Sequence, residues 1–359
     1  MILIKKGKLI LEDGTIFEGK IFGAPHSSAG EVVFHTAVTG YIESISDPSY
    51  SGQILVLTYP LIGNYGVPAF NRNDSVPDFF ESNKVQPSGL IVADYSIEYS
   101  HWRAEKSLSD WLKEFNVPGL FDIDTRALTQ ILRNKGAMLG KIIIDEDVDF
   151  FDPDKVNLVE KVTVKQSEII GTGDLKVVLI DLGTKNNIIR SLTQRGVQVI
   201  RVPWDYDFNE IDYDGLLVSN GPGNPKRCEI TIQNLKIAFK KEKPIFGICL
   251  GNQLMALAAG ADTFKMKYGH RSHNQPVLIK GTDRAYITSQ NHGYAVDNST
   301  LPATWEPYFI NLNDDTNEGL KHISLPFFSV QFHPEAASGP TDTDFLFDQF
   351  IKNIRASKL

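Results

Sequence analysis

Cysteine is scarce. The 359 residues hold two, Cys228 and Cys249, in no C-x-x-C arrangement. A disulfide framework is excluded, and a reducing compartment fits, where a nucleophilic thiol stays usable. No apolar run approaches about 20 residues, so no membrane span is predicted. A basic excess is missing too: 36 Lys and Arg against 44 Asp and Glu leave a formal charge of −8. Nucleic acid, which needs a basic face, is not an expected partner. Neither G-x-G-x-x-G nor a Walker A sequence occurs, so no dinucleotide or ATP site is expected in this chain. The opening MILIKKGKLILEDG has no signal-peptide hydrophobic region or cleavage site, and a cytoplasmic protein is expected. The final Ser357-Lys358-Leu359 matches a peroxisomal address, a three-residue pattern that chance supplies often. What is present, 42% hydrophobic and 22% charged residues, is globular composition with room for two domains.

The informative stretch is KPIFGICLGNQLMALAAG, residues 243–260. Residues 244–248 are short and apolar, as a buried strand would be. Residues 251–259 are rich in Leu, Ala and Met and stop at Gly260, which reads as a glycine-capped helix. Cys249 stands at the junction between Gly247 and Gly251. The pattern G-x-C-x-G is the cysteine form of the nucleophile elbow. A sharp strand-to-helix turn needs small neighbours, and the helix start behind the sulfur favours thiolate and oxyanion. A merely buried cysteine is the plainer alternative. The base that a thiolate needs is offered by FFSVQFHPEAAS, where a strand-like run (327–332) delivers His333 and then Glu335. Cys249, His333 and Glu335 thus form a candidate triad.

G-I-C-L-G-x-Q followed by H-P-E resembles the class I (triad) glutamine amidotransferases. The N-terminal half carries GEVVF, TGY, DPSY, LTYPLIGNYG and DIDTR. These resemble the N-terminal domain of carbamoyl phosphate synthetase small subunits, and with them the resemblance covers nearly the whole chain. It implies hydrolysis of L-glutamine, Ser49 of D-P-S-Y reaching towards the glutamine pocket, and Asn291, Gly293 and Tyr294 of Q-N-H-G-Y lining it. It also implies a large synthetase subunit as heterodimer partner, which receives ammonia and carries the ATP and Mg. This chain itself is expected to hold no cofactor and no metal. The arginine and pyrimidine pathways stay open. Asn252 stands where the family often has His, which puts fine control, such as coupling to a partner, in question.

Along the chain, residues 8–23 alternate around Asp13-Gly14 as a hairpin. Strands are expected at 31–34 and 53–58, a turn-rich loop at 47–52, a helix over 101–115, and a second helix capped by Asp124 or Thr125 and stopped at Gly136. From Lys176 strands alternate with helices, which predicts βαβ units and a mostly parallel sheet. Sites in such sheets lie beyond the carboxyl strand ends. Gly221-Pro222-Gly223 is at that edge, where Gly221 and Gly223 let backbone N–H groups approach a ligand, and the N–H of Leu250 would complete an oxyanion hole. Gln253, one helical turn past Cys249, fits the glutamine-pocket role that the resemblance gives to Asn291, Gly293 and Tyr294; a helix-surface amide is the plainer alternative. His270 and His273, at i and i+3 with no evident third ligand, are not expected to bind metal. A closing helix is expected over 341–358, with Phe345, Phe347 and Phe350 packing. The predicted fold is α/β: a β-rich α+β N-terminal domain (1–150), a linker (151–174), and an amidotransferase domain with a mostly parallel sheet (175–359). The rivals are another triad amidotransferase or cysteine hydrolase with a different acceptor, and a regulatory subunit with a dead site.

Overall fold

The computed structural model describes residues 5–70 and 76–358; Leu359 of the final tripeptide and residues 1–4 of the opening stretch lie outside them. The chain forms two compact units, Met1–Val156 and Asn157–Leu359. No described helix is long and apolar enough to cross a membrane.

The first unit closes a barrel from Lys6–Leu11, Ile16–Ile21, Gly119–Phe121, Gly89–Tyr95, Gln53–Ile62, Ser28–His35 and Met138–Ile143, in that spatial order. The expected hairpin is its first pair, turning at Gly14 with φ 86°. Closure leaves none of these seven strands as an unpaired edge. Leu9, Val32, Ile54, Ile91 and Leu128 fill one apolar cluster in it. The second predicted helix runs Thr125–Lys135, and the Asp124 side chain accepts from Ala127 N at 2.8 Å. The first is shorter than its spacing suggested. It spans Leu108–Glu114 behind a Ser107 cap, because Ala104–Lys106 pairs as a strand with Val67–Pro68. Residues 47–52 contain a 3-10 turn, Pro48–Tyr50.

The second unit is built on one sheet. Its centre is parallel: Val197–Pro203, Leu175–Asp181, Gly215–Val218, Ile245–Ile248 and Phe327–Val330, side by side. Runs such as KVVLID and PIFGI are apolar on both faces because helices cover both. Antiparallel strands Asn317–His322, Trp305–Asn311, Thr263–Ile279 and Ala285–Val296 extend one side. Glu168–Ile170 pairs antiparallel at the opposite edge. The expected linker is therefore divided. Residues 157–174 belong to this unit: Val159 is in its apolar core, Val164 N bonds Asp181 Oδ2 at 2.7 Å, and residues 168–170 join the sheet. A charged, irregular composition hid a segment fastened by one buried valine, a bond to the Asp181 side chain and an edge-strand pairing. The closing helix is Phe345–Ser357; it buries Phe347 and Phe350, while Phe345 is half-buried and packs at a tilt against the Tyr286 ring.

Candidate active site

Strand Ile245–Ile248 ends at Cys249, and helix Leu250–Ala259 begins on the next residue. Cys249 takes φ 55° and ψ −103°, a backbone conformation that L-residues rarely adopt. The turn closes because its neighbours are glycines. A Cβ on Gly251 would sit 2.1 Å from the Val218 carbonyl oxygen, and one on Gly247 2.6 Å from Met255 Sδ. The Cys249 N–H donates to Val330 O at 2.8 Å, which ties the elbow to the neighbouring parallel strand. Its sulfur lies 3.7 Å from the Asn291 carbonyl. Cys249 stands at the N-cap position of that helix, where the dipole's positive end favours anions.

That neighbouring strand, Phe327–Val330, leads to His333. Its N–H donates to Ser289 O at 2.9 Å, which fixes the histidine's backbone against strand Ala285–Val296. Nδ1 of His333 is 2.7 Å from Glu335 Oε1. Nε2 is buried and makes no conventional hydrogen bond, leaving it for the Cys249 sulfur, which helps to raise the imidazole pKa. Burial alone would lower that pKa; Glu335, aided by Cys249, overrides it and holds His333 up at about 10. Burial would raise the Glu335 carboxyl, yet Lys185 and His333 hold it down at about 2. The triad is thus set for an imidazolium held between a carboxylate and a sulfur.

Lys185 is the residue that sequence reasoning missed. It is buried, with Nζ 3.1 Å from Glu335 Oε1 and 2.6 Å from the Ala336 carbonyl. Its own N–H donates to Asn220 Oδ1 at 3.0 Å. Asn187 donates to the Glu335 carbonyl. The signal was there: T-K-N-N follows an apolar strand at the sheet's carboxyl edge, where sites gather.

The other candidates fall as follows. Gly221 is packed so closely that a Cβ would meet Leu182 O at 2.1 Å and the Leu250 side chain at 3.0 Å. Gly223 has φ 88°. Gln253 is buried, not a surface amide; its Nε2 donates to Tyr294 O at 3.0 Å and Gln331 Oε1 at 3.1 Å. Asn291, Gly293 and Tyr294 lie along strand Ala285–Val296, and the Asn291 carbonyl is the one that meets the sulfur. Asn252 has a structural use. Its Nδ2 donates to Gln331 Oε1 at 3.2 Å and its Oδ1 accepts from Ser329 Oγ at 2.7 Å, which pins the helix behind Cys249 to the strand that leads to His333. Ser49 is buried in the first unit, where its N–H donates to Asp47 Oδ1 at 2.9 Å. His270 and His273 part company. His273 is near enough to Lys185 and His333 that, after burial, their charges help hold its pKa down at about 4; His270 joins a separate buried cluster.

Residues 178–353 match the family model of class-I glutamine amidotransferases, and residues 9–142 match that of the carbamoyl-phosphate synthase small chain, CPSase domain. The chain belongs to the carbamoyl-phosphate synthase small-chain family. Carbamoyl-phosphate synthase [ammonia], mitochondrial, of Aquarana catesbeiana is 51% identical over 357 residues, covering 98% of this chain and 24% of that protein. The same-named protein of Homo sapiens is 51% identical over 356 residues, with the same coverage. Multifunctional protein pyr1-3 of Dictyostelium discoideum is 51% identical over 376 residues, 98% of this chain and 17% of that protein. The chain spans about a quarter or less of the length of these relatives. Within the family's two domains, the elbow and the H-P-E segment both fall in the amidotransferase part.

Proposed function

We propose that this chain hydrolyses the side-chain amide of L-glutamine and supplies the ammonia to a carbamoyl phosphate-forming synthetase. The observation that carries the reading is the strained elbow: Cys249 at φ 55° on a helix start, beside a histidine locked to Glu335 at 2.7 Å. The Cys249 thiolate, paired with imidazolium, attacks the carboxamide carbon. Leu250 occupies the first helical position, where an N–H has no intrahelical partner, and Gly223 offers a second backbone donor; both serve the tetrahedral oxyanion. His333 protonates the departing ammonia, leaving a γ-glutamyl thioester. It then takes a proton from the water that releases glutamate. Glu335 keeps Nδ1 protonated throughout, so Nε2 is always the working nitrogen. Gln253, Asn291, Gly293 and Tyr294 form the wall that receives the amino acid. The synthetase partner is a separate large chain or a continuation of the same one, as the relatives' length suggests, and holds the ATP and Mg. The pyr-named relatives favour service to pyrimidine synthesis.

The test compares wild type with Cys249→Ser in the presence of the synthetase, reading carbamoyl phosphate from glutamine and from ammonium salt. The variant is expected to lose the first and keep the second. Continued glutamine use by the variant would sink the assignment. A second reading is a silent amidotransferase domain, favoured by the word ammonia in the frog and human names. Absence of glutamine turnover by the wild type would establish it.

A further inference from the structure

Behind strand Ala285–Val296 three buried side chains converge from three strands: His270, His292 and Glu318. Their nearest donor atoms all lie within 4.8 Å of one another. His270 Nδ1 is 3.3 Å and His292 Nε2 3.9 Å from the same oxygen, Glu318 Oε1. Gln290 adds its amide oxygen, 3.0 Å from His270 Nδ1 and 3.1 Å from His292 Nε2.

The surroundings fix which nitrogens are free to act. His270 Nε2 is 2.9 Å from Asp314 Oδ2, and His292 Nδ1 is 2.8 Å from Tyr294 O. Carboxylate and carbonyl can only accept, so each outer nitrogen donates. In a neutral ring the inner nitrogen keeps its lone pair: His292 Nε2 faces oxygens, and His270 Nδ1 faces the same two oxygens with Asn311 Nδ2 at 3.4 Å. The Gln290 amide cannot turn to relieve this, because its nitrogen is engaged by Thr288 Oγ1 at 3.1 Å and Glu318 Oε2 at 2.9 Å. One divalent cation satisfies all four inner donors at once.

We propose that His270, His292 and Glu318, with Gln290 Oε1 as fourth donor, bind one divalent cation of the zinc class. Two nitrogens and two oxygens suit zinc and its first-row neighbours better than magnesium or calcium. Bonds of about 2.0–2.1 Å in a tetrahedron place donors about 3.3 Å apart, which three of the four spans above already approach. Ligand histidines nearly always donate their other N–H to a carboxylate or carbonyl, the arrangement of both rings here. Asn311 Nδ2 donates to Glu318 Oε1 at 3.0 Å and holds the carboxylate in place. Asp314, with a side chain 40% exposed, gives the cation a way in. Bound there, the ion ties together the three strands that carry His270, His292 and Glu318. It braces the backbone on either side of His292, including the Asn291 carbonyl beside the sulfur. The sequence expectation of no metal paired His270 with His273 and found no third ligand; Glu318 is 48 residues from His270.

The test is metal analysis of the chain purified without chelator, then cobalt substitution after chelation. About one metal per chain is expected, with loss of nearly all of it in Glu318→Gln and in His270→Ala. Removal by chelation should lower the wild-type melting temperature by several degrees and leave that of Glu318→Gln unmoved. Cys249→Ala is the control, because a thiolate beside an imidazole can capture zinc. The cobalt form of the wild type should show d–d bands without a thiolate charge-transfer band, a readout that needs no variant. Metal content that follows Cys249, equal content in wild type and Glu318→Gln, or a cobalt spectrum with thiolate character would each overturn the proposal. None of these readouts depends on glutamine hydrolysis.

Discussion

Lys185 Nζ stands 3.1 Å from Glu335 Oε1, with both side chains buried. Its charge keeps the orienting carboxylate ionised in a site that would otherwise protonate it. Lys185→Met is therefore expected to cut kcat for glutamine hydrolysis by on the order of 10²–10⁴, the scale of a lost orienting group, with a smaller change in KM. A rise in KM alone, with kcat intact, would show that Lys185 only shapes the pocket. The same three residues carry a pH signature. Glu335 is lowered on folding, so its contribution is present above about pH 4.5 and lost as pH falls towards 2. His333 is raised, so its contribution is complete below about 6.5 and lost as pH rises towards 10. The melting temperature of wild type minus that of Glu335→Gln should peak between these two values and shrink on both sides. A flat difference across pH 3 to 9 would refute the ion pair.

At the scale of elements, the elbow depends on what its glycines lack. Gly251→Ala puts a methyl 2.1 Å from a backbone oxygen that cannot swing aside, so the helix must shift off the strand. Overpacking of this kind costs about 1–3 kcal/mol, and the sulfur moves with the helix. Lower melting temperature together with lost hydrolysis is the expected result; an active variant with native stability would contradict it. This junction was legible in the sequence because everything that makes it is contiguous: strand, cysteine, helix, and a glycine on each side. The helix Thr125–Lys135 was legible for the same reason, since Asp124 and Gly136 lie at its own ends. The helix expected over 101–115 was misread because its first half pairs with residues 67–68, and a strand partner remote in the chain leaves no local mark. Lys185 and Glu318 were missed on the same ground: their meaning comes from residues 150 and 48 positions away, respectively.

For the molecule as a whole, the two units have separate apolar cores, and the boundary that matters is after Val156. A fragment of residues 157–359 is expected to fold, with native-like circular dichroism and one cooperative melt. A fragment begun at 175 loses the edge strand Glu168–Ile170 and the buried Val159, a side chain whose burial is worth about 1.5–3 kcal/mol. It should melt lower or fail to fold. Equal stability of the two fragments would return residues 157–174 to the role of a tether. The family match splits at nearly the same place, with one domain model ending at 142 and the other starting at 178.

Cys249 is 2% exposed, although the chemistry proposed for it needs a reactive thiolate. Depth and reactivity together make the sulfur selective by shape. A glutamine-like electrophile that fits the crevice should alkylate it quickly, while bulky oxidised thiols such as glutathione disulfide should react slowly at the same pH. The fold therefore shelters the sulfur of the proposed nucleophile by burial during oxidative episodes that would cap a surface cysteine.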